Sequence, residues 1–317
     1  MNKPLVSILI VNWNTCKLTC DCIRSVIDQT RCDYEIIVVD NASTDDSIEQ
    51  IRLQFKDVTL IANEANIGFA AANNEAMKAA KGQYLLLLNS DTVVLDGAID
   101  KTIEFADKNP DAAVVGCKAL NSDMSLQCNC FMFPSLLNMF LMSTYLYKVF
   151  DRSRFFGRER MSYWNYDTVR QVDVVTGCFM LVRREAIEAV GGMDESYFMY
   201  AEETDWCYRF KQAGYKVLYT PSASIIHFGG QSSKKVSLMA LQVHASVLFF
   251  IRKHKGRLQY AIGCLLTSLF FIVRLPVWGG IWLLKRTDAA AQKTKLYARG
   301  ALAALAGVDA LSIKGNK

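Results

Sequence analysis

The chain lacks the loops on which several large enzyme classes depend. No G-x-G-x-x-G follows its first apolar run and no G-x-x-x-x-G-K-[ST] occurs anywhere. Dinucleotide oxidoreductase and P-loop readings are therefore without their phosphate cradles. No G-x-S-x-G elbow is present, which removes the serine hydrolases built on it. Cys16, Cys20 and Cys22 form C-x-x-x-C-x-C and Cys128 and Cys130 form C-x-C, neither of which matches a paired C-x-x-C zinc framework. No secretory signal precedes the first strand, ahead of which Lys3 is the one charge. The ten cysteines are thus expected as reduced, buried or partly buried thiols of a cytosolic protein. A Lys/Arg stripe interleaved with aromatics is missing from the first half, so no nucleic-acid partner is expected. Internal repeats and low-complexity segments are missing as well.

What is present is apolar. At 317 residues the chain can bury a full core, and one large domain with an appendage is the natural organisation. Hydrophobic residues make up 51%, high for a freely soluble protein. The net charge of +5 is modest, but the basic residues collect toward the C-terminus, which suits an anionic surface such as a membrane.

The first half alternates short apolar strands with helical stretches. Strands are expected at 5–11, 35–40, 58–62, 84–88 and 112–117, with helices near 15–29, 45–55, 68–80 and 97–109. Continuous runs such as IIVVD and YLLLLN indicate strands covered on both faces, hence a mostly parallel α/β sheet with flanking helices. Ligands of such sheets bind beyond the carboxyl ends of the strands, where Asp40-Asn41-Ala42-Ser43 and Asn89-Ser90-Asp91 fall. Residues 118–135 read as a loop or hairpin, 135–150 as an apolar helix, and Arg152, Arg154, Arg158 and Arg160 as a basic loop. Strands resume at 171–175, 178–183 and 224–228, and a helix near 203–213 ends at Gly214, suited to a left-handed cap. Residues 258–284 are apolar except for Arg274, but Arg274 and Pro276 divide the run, and basic residues flank both ends. A re-entrant hairpin or in-plane helices on a membrane fit that pattern better than a single crossing; a buried helical hairpin is the alternative.

Three acidic clusters carry the chemistry. In YFMYAEETDWCYR (197–209) Glu202, Glu203 and Asp205 crowd beside Tyr197, Phe198, Tyr200 and Trp206. Crowded carboxylates repel, so they persist where a cation, proton transfer or polar ligand uses them, or where they merely open a helix. Asp40 lies too early to cap the next helix and could accept a hydrogen bond from a pyrimidine N–H, while Ser43 or Thr44 is expected to cap it. Asp91, at a strand end, suits a hard divalent cation on diphosphate oxygens, with His227 a candidate second ligand or else a structural histidine. Gly68 in NIGFAAANN (66–74) opens a helix N-terminus, a place that favours phosphate.

Taken together, VSILIVNWN (6–14), VVDNASTDDS (38–47), NIGFAAANN (66–74), LLLLNSDT (85–92), TGCFMLVRR (176–184), GGMDESYFMYAEETDWCYR (191–209) and HFGG (227–230) closely resemble family 2 of the inverting glycosyltransferases, nearest the rhamnosyltransferase-type enzymes of bacterial surface-polysaccharide assembly. The resemblance spans 5–230 and implies a GT-A fold in a catalytic domain over 1–233, with a helical, membrane-associated region at 234–317. It implies a nucleoside-diphosphate sugar donor (dTDP-rhamnose first, UDP-sugars behind), a lipid-linked saccharide acceptor, and a divalent metal, Mg or Mn. The cytoplasmic face of the plasma membrane is the implied location, peripheral or re-entrant. By position, Glu203 matches the catalytic base, with Glu202 beside it; Asp91 and His227 match the metal ligands, and Asn89 stands where the family's first D-x-D aspartate would be. Asn12, Asp40, Asn41, Asn66, Gly68, Asn89 and Ser90 are implied at the donor, and Asp205, Trp206 and Gly177 at the acceptor. Two rivals share parts of this pattern. A sugar-nucleotidyltransferase would want a Gly-rich basic loop where NWNTCKLTC stands, and a non-catalytic nucleotide-sugar-binding scaffold would explain the missing first aspartate.

Overall fold

The structure is a computed structural model that describes residues 3–229 and 236–312. Gly230 of the HFGG motif and the expected domain boundary at 233/234 lie outside the described residues. The chain divides into two compact units, one of Met1–Phe131, Asn165–Phe198 and Glu202–Lys234, the other of Met132–Trp164, Met199–Ala201 and Lys235–Lys317. Residues 132–164, which the sequence reading had kept with the catalytic domain, thus fold with the C-terminal helices.

The first unit opens with β1 (Val6–Asn12), α1 (Cys16–Gln29), β2 (Tyr34–Asp40), α2 (Ser47–Gln54), β3 (Thr59–Ala62), α3 (Phe69–Ala79) and β4 (Tyr84–Asn89). It continues through β5 (Thr92–Val94), α4 (Ala98–Asp107), β6 (Ala112–Leu120), β7 (Leu126–Gln127) and β8 (Cys130–Phe131). After α5 (Leu136–Ser143) and α6 (Leu146–Val149) of the second unit, the first resumes with β9 (Arg170–Gln171), β10 (Val174–Val175), β11 (Phe179–Arg183), α7 (Arg184–Val190), α8 (Glu202–Gln212) and β12 (Lys216–His227).

Ten strands form one sheet whose main path runs β3-β2-β1-β4-β11-β6-β12-β5. It is parallel through β3, β2, β1 and β4, then mixed, because β11 enters antiparallel between β4 and β6. The parallel half needs apolar residues on both faces, and β1 (VSILIVN) and β4 (YLLLLN) supply them, buried along nearly their whole length. On one face Ile8, Ile10, Val38, Leu86 and Leu88 pack with Ile23 and Val26 of α1 and Ile99 and Ile103 of α4. Each such side chain contributes about 1.5–3 kcal/mol on burial. Cys20 and Cys22 fill the same core as small hydrophobes, and burial pushes the Cys20 thiol up to about 11. All ten cysteines are unbridged and buried or half-buried.

In the second unit, α9 (Val236–Lys255), α10 (Arg257–Lys285), α11 (Asp288–Ala306) and α12 (Val308–Leu311) pack on one another, and α10 also packs on α5. The expected break of α10 at Arg274 and Pro276 does not occur: the helix is continuous, with Pro276 inside it. A proline removes one helical N–H, and Arg274 beside it ties the helix in place. Arg274 is 3% exposed, and its guanidinium donates to the Phe270, Ser143 and Met142 carbonyls and lies over the Tyr145 and Phe270 rings. The expected helix over 135–150 is instead interrupted at Tyr145, whose φ is +62°.

Candidate active site

The carboxyl ends of β1, β2 and β4 lie side by side because their register pairs Asn12 with Asp40 and Val11 with Asn89. Asn12 Nδ2 donates to Asp40 Oδ2 at 2.6 Å and to Ser43 Oγ at 3.1 Å. Asp40 Oδ1 accepts from the Ser43 backbone N–H at 2.8 Å. Asp40 is fully buried, so it braces this turn, with its oxygens keeping further lone pairs for a donor N–H. Thr15 carries the network across the sheet: its hydroxyl donates to Asn12 Oδ1 at 2.7 Å and meets Ser90 Oγ at 3.1 Å. Asn41 Nδ2 donates to the Gly68 carbonyl at 3.2 Å, and Asn66 Oδ1 accepts from the Gly68 N–H at 3.0 Å.

Gly68 has φ +89°, and a Cβ there would stand 2.5 Å from the Phe198 carbonyl oxygen. That carbonyl accepts from the Phe69 N–H at 3.0 Å, which ties the start of α3 to the segment entering α8. Gly177 lies against the Phe69 ring, 3.4 Å from where its Cβ would be.

Asp91, 5% exposed, has Oδ1 at 3.2 Å from His227 Nε2. Antiparallel pairing of β5 with β12 sets His227 opposite Thr92, and the Phe228 N–H donates to the Asp91 carbonyl at 3.0 Å. Asn89 Nδ2 is 3.2 Å from the same imidazole nitrogen. Among the described residues no group of three or more His, Cys, Asp or Glu gathers as a metal set, so any cation here would take only Asp91 and His227 as such ligands. Two ligands about 2.1 Å from one ion and at right angles are about 3 Å apart, a spacing that the Asp91–His227 separation matches. The residues present therefore fit a divalent cation.

Helix α8 begins with Glu202, Glu203 and Asp205 in its first turn. Tyr200 and Ala201 just before it have φ of +68° and +64°, conformations costing about 1–2 kcal/mol each for a residue with a Cβ. Glu202 Oε2 and Glu203 Oε2 are buried with no hydrogen-bond partner among the described residues. Burial drives both carboxyls upward, Glu202 well above the usual range because Glu203's charge adds to it. Glu203 is held back by the backbone N–H groups of Glu203 and Thr204. Both carboxyls are thus raised by burial, Glu202 further by Glu203, while the backbone N–H groups at the helix start favour the charged form of Glu203. The thiol of Cys178 is pushed up to about 11, mainly by burial, with both Asp91 and Glu203 adding to the rise. The cation corner and the α8 carboxylates thus act on one common side chain.

The model for Glycosyl transferase family 2 matches residues 7–191, well over half of the chain. The chain belongs to that family. This transferase is 28% identical over 237 residues to an N-acetylglucosaminyl-diphospho-decaprenol L-rhamnosyltransferase of Mycobacterium tuberculosis (strain ATCC 25618 / H37Rv), covering 70% of this chain and 76% of the relative. A putative teichuronic acid biosynthesis glycosyltransferase of Bacillus subtilis (strain 168) is 34% identical over 106 residues, which is 32% of this chain and 42% of that one. Among solved structures, a mannosyltransferase from Pyrobaculum calidifontis in complex with GDP-Man and Mn2+ superposes with a TM-score of 0.56 at 15% identity, covering 96% of this chain and 87% of the other. That likeness shows the fold, and the transferase has the GT-A architecture, with a mixed central sheet between helices.

Two expected acceptor residues face inward instead. Asp205 is fully buried and pairs with Arg209 at 2.8 Å, and Trp206, also fully buried, donates Nε1–H to the Gly191 carbonyl at 2.8 Å. Asp205 is held there by Arg209 one helical turn further on, and Trp206 by the Gly191 carbonyl. Ser43, expected as a helix cap, serves Asn12 and the Asn14 N–H; α2 starts later, after Asp46. Thr15 and Cys178 were missed, since nothing in their local sequence signals a cross-strand partner. A hollow of about 920 Å³ lined by Lys3, Tyr34, Lys81 and Arg184 among others flanks the start of β2, away from all these carboxylates.

Proposed function

We propose that the transferase moves a sugar, rhamnose first, from a nucleoside-diphosphate sugar to a hydroxyl of a lipid-linked glycan, inverting the anomeric centre. The observation that carries this reading is the buried Glu202–Glu203 pair with unsatisfied oxygens at a helix start. Folding tolerates such groups where they have work to do. Glu203, whose charged form the backbone N–H groups of the helix start favour, accepts the proton of the acceptor hydroxyl while that oxygen attacks the anomeric carbon. The bond to the diphosphate oxygen breaks in the same displacement, so the configuration inverts once. Glu202 holds its own proton and keeps a second negative charge off the pair. Asn12, Asp40, Asn41 and the Gly68 turn hold the nucleotide end at the strand termini. Asp91 and His227 would hold a divalent cation, Mg or Mn, which when bound neutralises charge on the departing diphosphate.

The second unit supports a place at the cytoplasmic membrane surface. In α10 the buried face is Gly263, Cys264, Thr267, Ser268, Phe271 and Arg274, small or polar apart from Phe271, while Leu258, Leu265, Ile272, Val277, Leu283 and Leu284 are exposed. Ser268 donates to the Ala301 carbonyl, and Gly300 lies under the Phe271 ring. Small residues between helices with leucines outward is how helices pack in lipid, the reverse of a water-facing helix. Lys285 and Arg286 at one end and Arg252 and Arg257 near the other are exposed, which suits a helix lying in the plane of an anionic surface. Among the described residues α10 is the one helix long and apolar enough to cross a bilayer.

The test is transfer. Purified protein is offered dTDP-rhamnose and a panel of UDP-sugars with Mg or Mn and a polyprenyl-diphosphate-linked N-acetylhexosamine. Product from dTDP-rhamnose, lost on chelation, is the expected result. No product from any donor, with hydrolysis also absent, would overturn the reading.

A further inference from the structure

His227 does not stand alone on its strand. Its Nδ1 is 2.7 Å from Gln127 Oε1. The amide of Gln127 cannot turn over without losing two bonds, because Nε2 donates to the Asn121 Oδ1 at 2.8 Å and to the His227 carbonyl at 3.0 Å. Both acceptors lack a proton to offer, so the carbonyl end of the amide must face Nδ1. A carbonyl oxygen only accepts; Nδ1 must therefore carry the hydrogen, which in a neutral ring leaves the lone pair on Nε2. On the other side Nε2 has Asn89 Nδ2, an N–H donor, at 3.2 Å and Asp91 Oδ1, an acceptor, also at 3.2 Å, so a neutral ring sets two lone pairs face to face that a cation between them would bridge. Asn121 is itself fixed, its backbone N–H donating to the Ser125 carbonyl at 2.8 Å and its amide to Ser125 Oγ at 2.9 Å. Pairing of β7 with β6 sets Gln127 opposite Ala119 and so brings the hairpin to the end of β12.

We infer that Gln127 is a positioning residue that holds His227 in its Nδ1-protonated tautomer and so presents the Nε2 lone pair beside Asp91 for a divalent cation. A neutral imidazole free in solution puts most of its hydrogen on the other nitrogen, the wrong one for this site. Fixing the ring and tautomer of a ligating histidine through its second nitrogen is typically worth about 10–100-fold in metal affinity. The assignment of a cation to Asp91 and His227 rests on the proposed function; the tautomer does not.

The experiment uses the full chain labelled with 15N-histidine, whose three histidines are told apart with a His227→Asn control. Long-range 1H–15N correlation, recorded across a pH series, reports which nitrogen is protonated. Wild type and Gln127→Glu, which keeps an acceptor against Nδ1, are expected to give the Nδ1–H pattern, and Gln127→Leu a shift toward Nε2–H. Mn2+ titration followed by water-proton relaxation, alone and with dTDP or UDP, supplies the second readout. Gln127→Leu is expected to weaken Mn2+ binding about 10-fold or more, and Gln127→Glu to stay within about 3-fold of wild type. A Gln127→Leu protein that keeps the Nδ1–H pattern and wild-type Mn2+ affinity overturns the inference. If wild type binds Mn2+ no better than Asp91→Asn, the cation assignment fails, and the tautomer pattern alone decides the role of Gln127.

Discussion

At the scale of single residues, the account turns on charge kept out of water. Glu202 has its carboxyl raised by burial and by Glu203, so the folded state binds a proton that the unfolded chain releases. Linkage then lowers stability as pH rises from the ordinary glutamate range toward the raised value, and the penalty is complete above it. Glu202→Gln removes it: the variant is expected to gain about 1 kcal/mol near neutral pH, with the gain vanishing as the pH falls to the unshifted 4.5. Denaturant unfolding across that range checks it, and a gain that grows in acid would contradict the pairing. These two glutamates were legible in the sequence because three carboxylates in four positions repel one another, although a helix start would also explain them. Asp205 was not separable from them, since position in a helical turn, rather than residue type, sends it to Arg209. Gln127 was illegible for a different reason: its partner is 100 residues away, and no local pattern announces it.

At the scale of elements, the parallel half of the sheet could be read off because continuous apolar runs admit few alternatives. The insertion of β11 between β4 and β6 could not, since which strands neighbour one another is decided by long-range pairing. β12 is longer than its expected 224–228, starting at Lys216 and carrying a register shift between Thr220 and Ser224, where Pro221 hid the first half from a reading that treats proline as a strand breaker. The joint between α3 and α8 offers a sharp test. Gly68→Ala must place a Cβ 2.5 Å from the Phe198 carbonyl at φ +89°. We expect a loss of about 2–4 kcal/mol in unfolding free energy and a weaker hold on the donor. A loss under about 0.5 kcal/mol would show that this contact yields freely.

At the scale of the whole molecule, one unit carries the chemistry and the other an apolar surface. The sequence located that surface at 258–284 but divided it, because Arg274 and Pro276 read as breaks until the α5 carbonyls that receive Arg274 are known. Vesicles containing anionic phospholipid are expected to co-sediment the protein, less so at high salt because the basic flanks are exposed and screened. Leu265→Ser with Ile272→Ser, both on the exposed face, should release it without unfolding the first unit; retention on the vesicles would place binding elsewhere. The central claim is that Glu203 deprotonates the acceptor. Transfer by Glu203→Gln, measured beside donor binding on the same protein, tests it most directly. The account predicts a fall in transfer of about 10²–10⁴-fold with donor affinity unchanged; transfer at the wild-type rate with donor affinity intact would contradict it.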